Sequence, residues 1–322
     1  MGQEPIRVVF LGTGDIAIPA FRALLADERV KMLGLVTQPD RPSGRRQELT
    51  APEIKRVAEA AGVPVFQPER LRLKENREQL EQWEADVAVV MAYGQILSER
   101  VLAWPKRWGC INLHASLLPK FRGAAPIHAA ILAGEQETGI TVMYMDKGVD
   151  TGDILLQKTI SIGERETTGK LHDRLALTAA EACMEALDAL RAGEAARVPQ
   201  DHAKASHCGK LTREDGQVNW NEPAEGVDRR VRAMNPWPAA FTIFFQNERM
   251  TRLKVYTGEV VAGVKGNPGE VVGLEGDGMM VACGKNGYCL QEVQPEGKRV
   301  MTAAEFARGR KIELGWQFHQ DL

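Results

Sequence analysis

The chain lacks paired cysteines, net charge and long apolar runs, and each shortage removes a class of protein. Its five cysteines, Cys110, Cys183, Cys208, Cys283 and Cys289, are scattered, odd in number and without a Cys-x-x-Cys pair. That argues against a disulfide framework or a zinc site and for a reducing compartment. No apolar stretch is long enough to span a bilayer, and the N-terminus runs from a few polar residues straight into a strand pattern with no signal peptide. A cytoplasmic protein is expected. The net charge is −2, and from Lys210 onward 15 Lys and Arg stand against 15 Asp and Glu. Neither part is a basic module, so any nucleic-acid surface must be a local patch.

What is present is ordinary for a globular protein: 44% hydrophobic and 26% charged residues in a chain of 322, enough for about two domains at ~150 residues each. Strand patterns at 7–11, 31–37, 63–66 and 86–92 alternate with helical patterns at 52–61 and 75–83. The strands read as continuous apolar runs, which predicts a Rossmann-like, mostly parallel sheet covered on both faces. A strand at 109–114, a helix at 125–133, strands at 140–145 and 154–162 and a long helix at 168–191 complete this part. The polar, aperiodic stretch 193–209 reads as a connector. Beyond it come a helix at 224–234 and five short strands (240–245, 251–259, 269–274, 279–283 and 288–293), which suggest a small β-barrel, with the oligonucleotide/oligosaccharide-binding (OB-like) barrel as a candidate. Thr302 followed by Glu305 is a capping-box pattern for a last helix. The expected division is a catalytic domain over 1–192 and a second domain over 210–322.

The most informative segment is Gly109-Cys110-Ile111-Asn112-Leu113-His114. Side chains alternate along a strand, so Asn112 and His114 face one way while Ile111 and Leu113 face the other. Ser116 and Pro119 break the strand, leaving the polar pair at its carboxyl end, where open α/β sheets bind ligands. An amide, an imidazole and a distant carboxylate can together polarise a carbonyl and move a proton. Taken singly, an Asn at a strand end is a cap and a His is a surface or core residue. Their spacing, the Ser-Leu-Leu-Pro run and Asp150 favour chemistry. His128, His172, His202, His207 and His319 have no such context and read as structural.

Gly12-Thr13-Gly14-Asp15-Ile16-Ala17 fits a dinucleotide fingerprint, Gly-x-Gly-x-x-Ala, between a strand and a helix. Two features favour a plain tight turn. Asp15 would oppose a pyrophosphate at the helix start, and no acidic residue ends the second strand.

The run Cys110 to Pro119, with Arg122-Gly123-Ala124-Ala125-Pro126 and then Asp146-Lys147-Gly148-Val149-Asp150-Thr151-Gly152-Asp153, resembles the formyltransferases that use 10-formyltetrahydrofolate. Thr37-Gln38-Pro39-Asp40-Arg41-Pro42, Ala92-Tyr93-Gly94 and Asn235-Pro236-Trp237-Pro238 bring it nearest to members acting on a charged initiator tRNA. The likeness covers nearly the whole chain, although relatives usually read Gly-Thr-Pro at Gly12-Thr13-Gly14. It implies formyl transfer to the α-amino group of methionyl initiator tRNA by a monomer that needs no metal, with Asn112, His114 and Asp150 as the catalytic set. The formyl donor is expected along Ser116, Leu117, Leu118 and Pro119, its pterin near Met91, Tyr93, Gly94, Gln95 and Asp146. Asp146 and Asp153 also read as loop caps, and Leu118-Pro119 is a candidate cis peptide. Arg41, Arg45 and Arg46, on a Pro- and Gly-rich loop, are candidates for tRNA contact. Lys210, Arg213, Arg229 and Arg232 would extend the path, the last two sharing a helix face. The alternative is a formyltransferase acting on an amino-sugar nucleotide. A nicotinamide dehydrogenase and a non-catalytic RNA-binding module are more distant readings.

Overall fold

A computed structural model of the chain describes residues 4–43, 48–246 and 249–319. At its centre β1 (Ile6–Gly12) carries Val8, Val9, Phe10 and Leu11 with no exposed surface. A strand apolar on both faces must be covered on both. β1 passes through a 3₁₀ turn at Asp15–Ala17 into α1 (Ile18–Ala26), then β2 (Val30–Val36). The expected loop holds a short hairpin, β3 (Arg41–Ser43) and β4 (Glu48–Thr50), whose connection with Arg45 and Arg46 lies outside the described residues. Next come α2 (Glu53–Ala60), β5 (Val65–Phe66), α3 (Lys74–Glu81), β6 (Val87–Met91), α4 (Glu99–Leu102) and β7 (Gly109–His114). After β8 (Arg122–Gly123) and α5 (Pro126–Ala133), β9 (Glu137–Tyr144) and β10 (Ile154–Ser161) follow. The order β10-β9-β7-β6-β1-β2-β5 makes one seven-stranded sheet, parallel from β5 to β7 and antiparallel at β9 and β10.

The chain walks outward from β1 to β2 and β5, then returns to lay β6 against the other side of β1. Such a reversal opens a crevice at the strands' carboxyl ends. The turns 12–14 and 92–94 leave the sheet there, because Gly12 pairs with Met91. Below the crevice Phe10 packs on Phe21 with ring centroids 5.3 Å apart. Trp83 covers Gly34, where any Cβ would collide with the indole.

α6 (Thr168–Ala192) and β11 (His207–Cys208) precede the second set of elements. These are α7 (Ala224–Ala233), β12 (Ala240–Gln246), β13 (Arg249–Val261), β14 (Val271–Gly273), β15 (Met279–Ala282), β16 (Gly287–Pro295), β17 (Met301–Thr302) and α8 (Ala303–Arg310). The five expected strands form, with β17 added against β16, as an antiparallel sheet curled into a half-barrel. Its core is aromatic. Trp220 is fully buried, stacks on Phe318 at 5.9 Å and donates its indole N–H to Thr242 Oγ1 at 2.9 Å.

Two compact units emerge, and they do not follow the sequence boundaries. Residues up to 126, 137–161 and 172–208 form the first, and 127–136, 162–171 and 209 onward form the second. The hydrogen bonds give the reason. Thr168 Oγ1 donates to the Ala233 carbonyl, Gly169 N–H to that of Asn235, and Arg232 to that of Glu166. The stretch read as a connector is held in the first unit: β11 pairs with β8, and Val198 bridges Ile154. The capping box at α8 forms with both reciprocal bonds between Thr302 and Glu305. Replacing Thr302 with Ala is expected to cost about 1 kcal/mol and lower the urea midpoint of the second unit, while Ser at this position stays near the parent.

Candidate active site

Asn112 and His114 lie at the end of β7, opposite Met143 and Thr141 of β9. Asp150 reaches them from the turn between β9 and β10, on a left-handed backbone with φ of 54°. Asn112 Nδ2 stands 3.5 Å from Asp150 Oδ1, and His114 Nδ1 stands 3.5 Å from Asp150 Oδ2. The short contact on this carboxylate is the Gly123 N–H, at 2.8 Å from Oδ2. His114 is only 6% exposed, and its Nε2 lies 2.9 Å from the Phe121 carbonyl oxygen. A carbonyl can only accept, so Nε2 carries a hydrogen and Nδ1 is the ring atom turned to the carboxylate. The long contacts are the kind that tighten around a substrate.

Three successive residues therefore organise the site: Phe121 fixes the imidazole, Gly123 fixes the carboxylate, and Arg122 lies between them. Arg122 is buried, with Nε and Nη2 donating to Gln200 Oε1 at 3.1 and 2.7 Å and Nη2 also meeting His202 Nδ1 at 3.1 Å. Gln200 Nε2 donates onward to the carbonyls of Asp150 and Gly152, at 3.0 and 2.8 Å. The segment carrying the three residues is itself backed by the supposed connector. Phe121 N–H donates to Ser206 Oγ, Arg122 N–H to the Ser206 carbonyl and Ala124 N–H to the Cys208 carbonyl. Gln200, Ser206 and the supporting role of Arg122 were missed from sequence. Arg122 stood inside the recognised run, but nothing local marks Gln200, whose partners are 50 and 78 residues away. Burial pushes the Cys208 thiol up, away from the thiolate form that makes a cysteine nucleophilic.

In the Ser116 to Pro119 run most main-chain groups are already bonded within the protein. Thr141 Oγ1 donates to the Ser116 carbonyl and accepts from Leu118 N–H, and Gln157 donates to the Leu118 carbonyl. The carbonyls of Leu117 and Pro119 accept from Lys120 and Ser206. Ser116 and Leu118 are buried, so the run frames the site, and Leu117 and Pro119 are its half-exposed members. The Leu118-Pro119 peptide is cis.

At the crevice, Met91 and Tyr93 are also buried, and burial pushes the Tyr93 phenol up. The Tyr93 carbonyl accepts from Thr13 Oγ1 and Gln38 Nε2, and the Ala92 carbonyl from Gly14 N–H. Gly14 N–H is thus spent inside the protein, which agrees with a structural glycine turn. Gln95 ties its loop to Leu71 and Pro68, and Asp146 caps its own turn through Gly148 and Thr151. Exposed residues of these two turns include Gly94 and the apolar side chains Ile96 and Val149, 86% and 59% exposed.

Of the candidate cations, Lys210 and Arg213 are exposed, and Arg41 is exposed with a loose pair to Glu69 at 3.5 Å. Arg229 is half-buried beside Gly134. Arg232 is committed internally, to Asp228 at 2.7 Å and to the Glu166 carbonyl, because its neighbours on α7 and at 166 offer acceptors. The hairpin that carries Arg41 is rooted by Asp40. Gln67 and Lys55 donate to this carboxylate and hold it below the usual range. Among the described residues, no group of three or more His, Cys, Asp or Glu is placed to hold a metal. No helix among them is long and apolar enough to cross a membrane.

The sequence profile of the formyl transferase family matches residues 6–187, and that of the formyl transferase C-terminal domain matches 210–311. A protein named methionyl-tRNA formyltransferase from Methylacidiphilum infernorum (isolate V4) is 42% identical over 311 residues, 96% of this chain and 97% of that one. One of the same name from Heliobacterium modesticaldum (strain ATCC 51547 / Ice1) is 44% identical over 323 residues, 97% of this chain and 100% of that one. The solved structure of WlaRD, a sugar 3N-formyl transferase in the presence of dTDP and 5-N-formyl-THF, superposes with a TM-score of 0.66 at 15% identity. It covers 92% of this chain and 100% of that one, a likeness of fold alone. The chain belongs to the formyl transferase family.

The geometry around β8 sets a test. Gly123 has φ of +116°, and a Cβ there would run into the Cys208 carbonyl, whereas Gly62, at +70°, has nothing within 4 Å. Gly62→Ala is expected to cost about 1–2 kcal/mol from backbone strain alone. Gly123→Ala is expected to cost clearly more, read as a larger drop in the urea midpoint of the first unit.

Proposed function

We propose that this chain moves the formyl group of 10-formyltetrahydrofolate to the α-amino group of methionyl initiator tRNA, forming N-formylmethionyl-tRNA for translation initiation. The meeting of Asn112, His114 and Asp150 at the carboxyl end of β7 carries the reading. It stands in a chain whose near-full-length relatives bear the methionyl-tRNA formyltransferase name.

The amine attacks the formyl carbon as a neutral base. A tetrahedral intermediate forms, its oxygen gaining the negative charge that Asn112 Nδ2–H and the imidazole of His114 stabilise from fixed positions. Asp150 takes the proton that the attacking nitrogen sheds, directly or through a water, and His114 shares the carboxylate. The bond from the formyl carbon to N10 then breaks. The proton ends on N10, releasing tetrahydrofolate and the formylated amine. The Phe121 carbonyl keeps the imidazole in one orientation through the cycle.

The donor's flat pterin fits the turns 92–96 and 146–150, with Ile96 and Val149 giving apolar cover and main-chain groups meeting its donor–acceptor edge. Met91, Tyr93, Ser116 and Leu118 act beneath it as the frame. Gln95 and Asp146 fix the two turns, and Leu117 and Pro119 form the near wall. The tRNA is held by Arg41 on the hairpin, by Arg45 and Arg46, which lie outside the described residues, and by Lys210, Arg213 and Arg229. Arg232 drops from this set because Asp228 and Glu166 occupy its donors. A cytoplasmic monomer is the working unit of this reading.

The deciding experiment offers labelled 10-formyltetrahydrofolate with either methionyl initiator tRNA or an amino-sugar nucleotide. Label is expected in the tRNA, and label in the sugar nucleotide alone overturns the reading. His114→Ala and Asp150→Ala are each expected to lower kcat by about 10² or more, with donor affinity much less affected. An Arg45→Ala, Arg46→Ala double variant is expected to flatten the salt dependence of tRNA binding by up to about 2 units of slope and leave donor affinity unchanged.

A further inference from the structure

The segment after the long helix holds a buried polar relay that the reaction as described does not use. Arg122 is 3% exposed, and its guanidinium meets Gln200 Oε1 and His202 Nδ1 rather than a carboxylate. A buried cation needs acceptors for its N–H groups, and Gln200 supplies one atom that takes two of them. The other end of the same amide spends both hydrogens on the carbonyls of Asp150 and Gly152. Gln200 is itself 6% exposed. Asp150 is the non-glycine residue held left-handed in this turn, a conformation costing about 1–2 kcal/mol that persists only where the surroundings impose it.

We propose that Gln200 is a positioning residue for formyl transfer, holding the backbone of Asp150 so that its carboxylate stays between Asn112 and His114. Two anchors grip Asp150. Gly123 N–H holds the carboxylate, and Gln200 holds the peptide carbonyl behind it. The guanidinium of Arg122, the residue before Gly123, joins the second anchor to the strand that provides the first. Only a primary amide meets both demands, because it presents an acceptor to Arg122 and two donors to the turn. A carboxylate in its place keeps the first contact and sets an oxygen against two carbonyl oxygens. A hydrocarbon leaves the guanidinium with His202 alone and takes the Gln200 donors from both carbonyls.

This inference rests on the formyl-transfer reading, and the test separates the two. Parent, Gln200→Glu and Gln200→Asn proteins are compared for formylation of methionyl initiator tRNA, each at a temperature well below its own melting midpoint. Glu keeps the Arg122 contact, and Asn keeps the amide on a side chain too short to span both sides. Each is expected to lower kcat by about 10- to 100-fold, the cost of a carboxylate displaced by roughly 1 Å, with KM for both substrates within about twofold. The split between kcat and KM is the signature of positioning. A merely structural role would leave the folded fraction with the parent's kcat. If Glu at this site prevents folding, Asn decides alone. Either folded variant with kcat within about threefold of the parent overturns the proposal, as does a loss confined to KM. A parent that formylates no tRNA overturns the functional reading instead.

Discussion

The geometry of the site depends on a single carboxylate being held without being neutralised. Asp150 is gripped through an uncharged donor, the Gly123 N–H, although a buried guanidinium lies one residue away. Had Arg122 turned to Asp150, a charge-assisted and often bidentate pair would have locked both oxygens. Its N–H groups go instead to the Gln200 amide and His202. One carboxylate oxygen faces Asn112 and the other faces His114, each at 3.5 Å, the loose spacing of groups that must still admit a reacting molecule. The cost falls on the backbone, since Phe121 and Asp150 both take positive φ without being glycine. Backbone strain of this kind gathers where the surroundings over-determine it, and here β11 and Ser206 supply that constraint.

The strand order explains why the site lies where it does and why its glycine turn resembles a dinucleotide motif without acting as one. Reversal at β1 places the turns after β1, β2 and β6 side by side. In a nucleotide-binding fold these turns would leave N–H groups open to phosphate. Here they are laced to each other. Thr13 Oγ1 donates to the Tyr93 carbonyl and accepts from Gln38 N–H, and Gln38 Nε2 meets the same carbonyl. The crevice is thereby stiffened, and Gly94 and Ile96 are left facing out.

Most of the fold was legible because its signals are local. The apolar run 87–91 is buried throughout, and the capping box at Thr302 lies within one turn of helix. The shared face of Asn112 and His114 was legible for the same reason, being a matter of strand period, and the match to a recognised motif supplied Asp150. Gln200 was not legible. Its stretch lacks periodicity, which reads as free connector, yet its order comes from pairing with β8 and from contacts dozens of residues distant. The bonding of the Ser116 to Pro119 main chain was not legible either, because Thr141 and Gln157, which occupy its groups, belong to strands later in the chain. Sequence pattern reports which face a residue takes; it does not report which distant donor has already claimed its carbonyl.

That accounting also bears on how a chain of net charge −2 holds an RNA. Arg232 is spent on Asp228 and Glu166, Arg230 on Glu222 and the Asp215 carbonyl, and Arg122 on Gln200. A cation already paired and half-buried neutralises no phosphate unless its partner is first released, and that release opposes binding. Useful charge is therefore a matter of exposure rather than count. Exposed charge is found at Lys210 and Arg213, and on the hairpin rooted by Asp40, where Arg41 makes only a loose pair in solvent, and these are groups proposed above for tRNA contact. Exposed pairs of that kind contribute little and exchange at small cost for a phosphate. Recognition resting on a few such groups suits an enzyme that must release its product, because a broadly basic surface would bind tRNA irrespective of what its acceptor end carries.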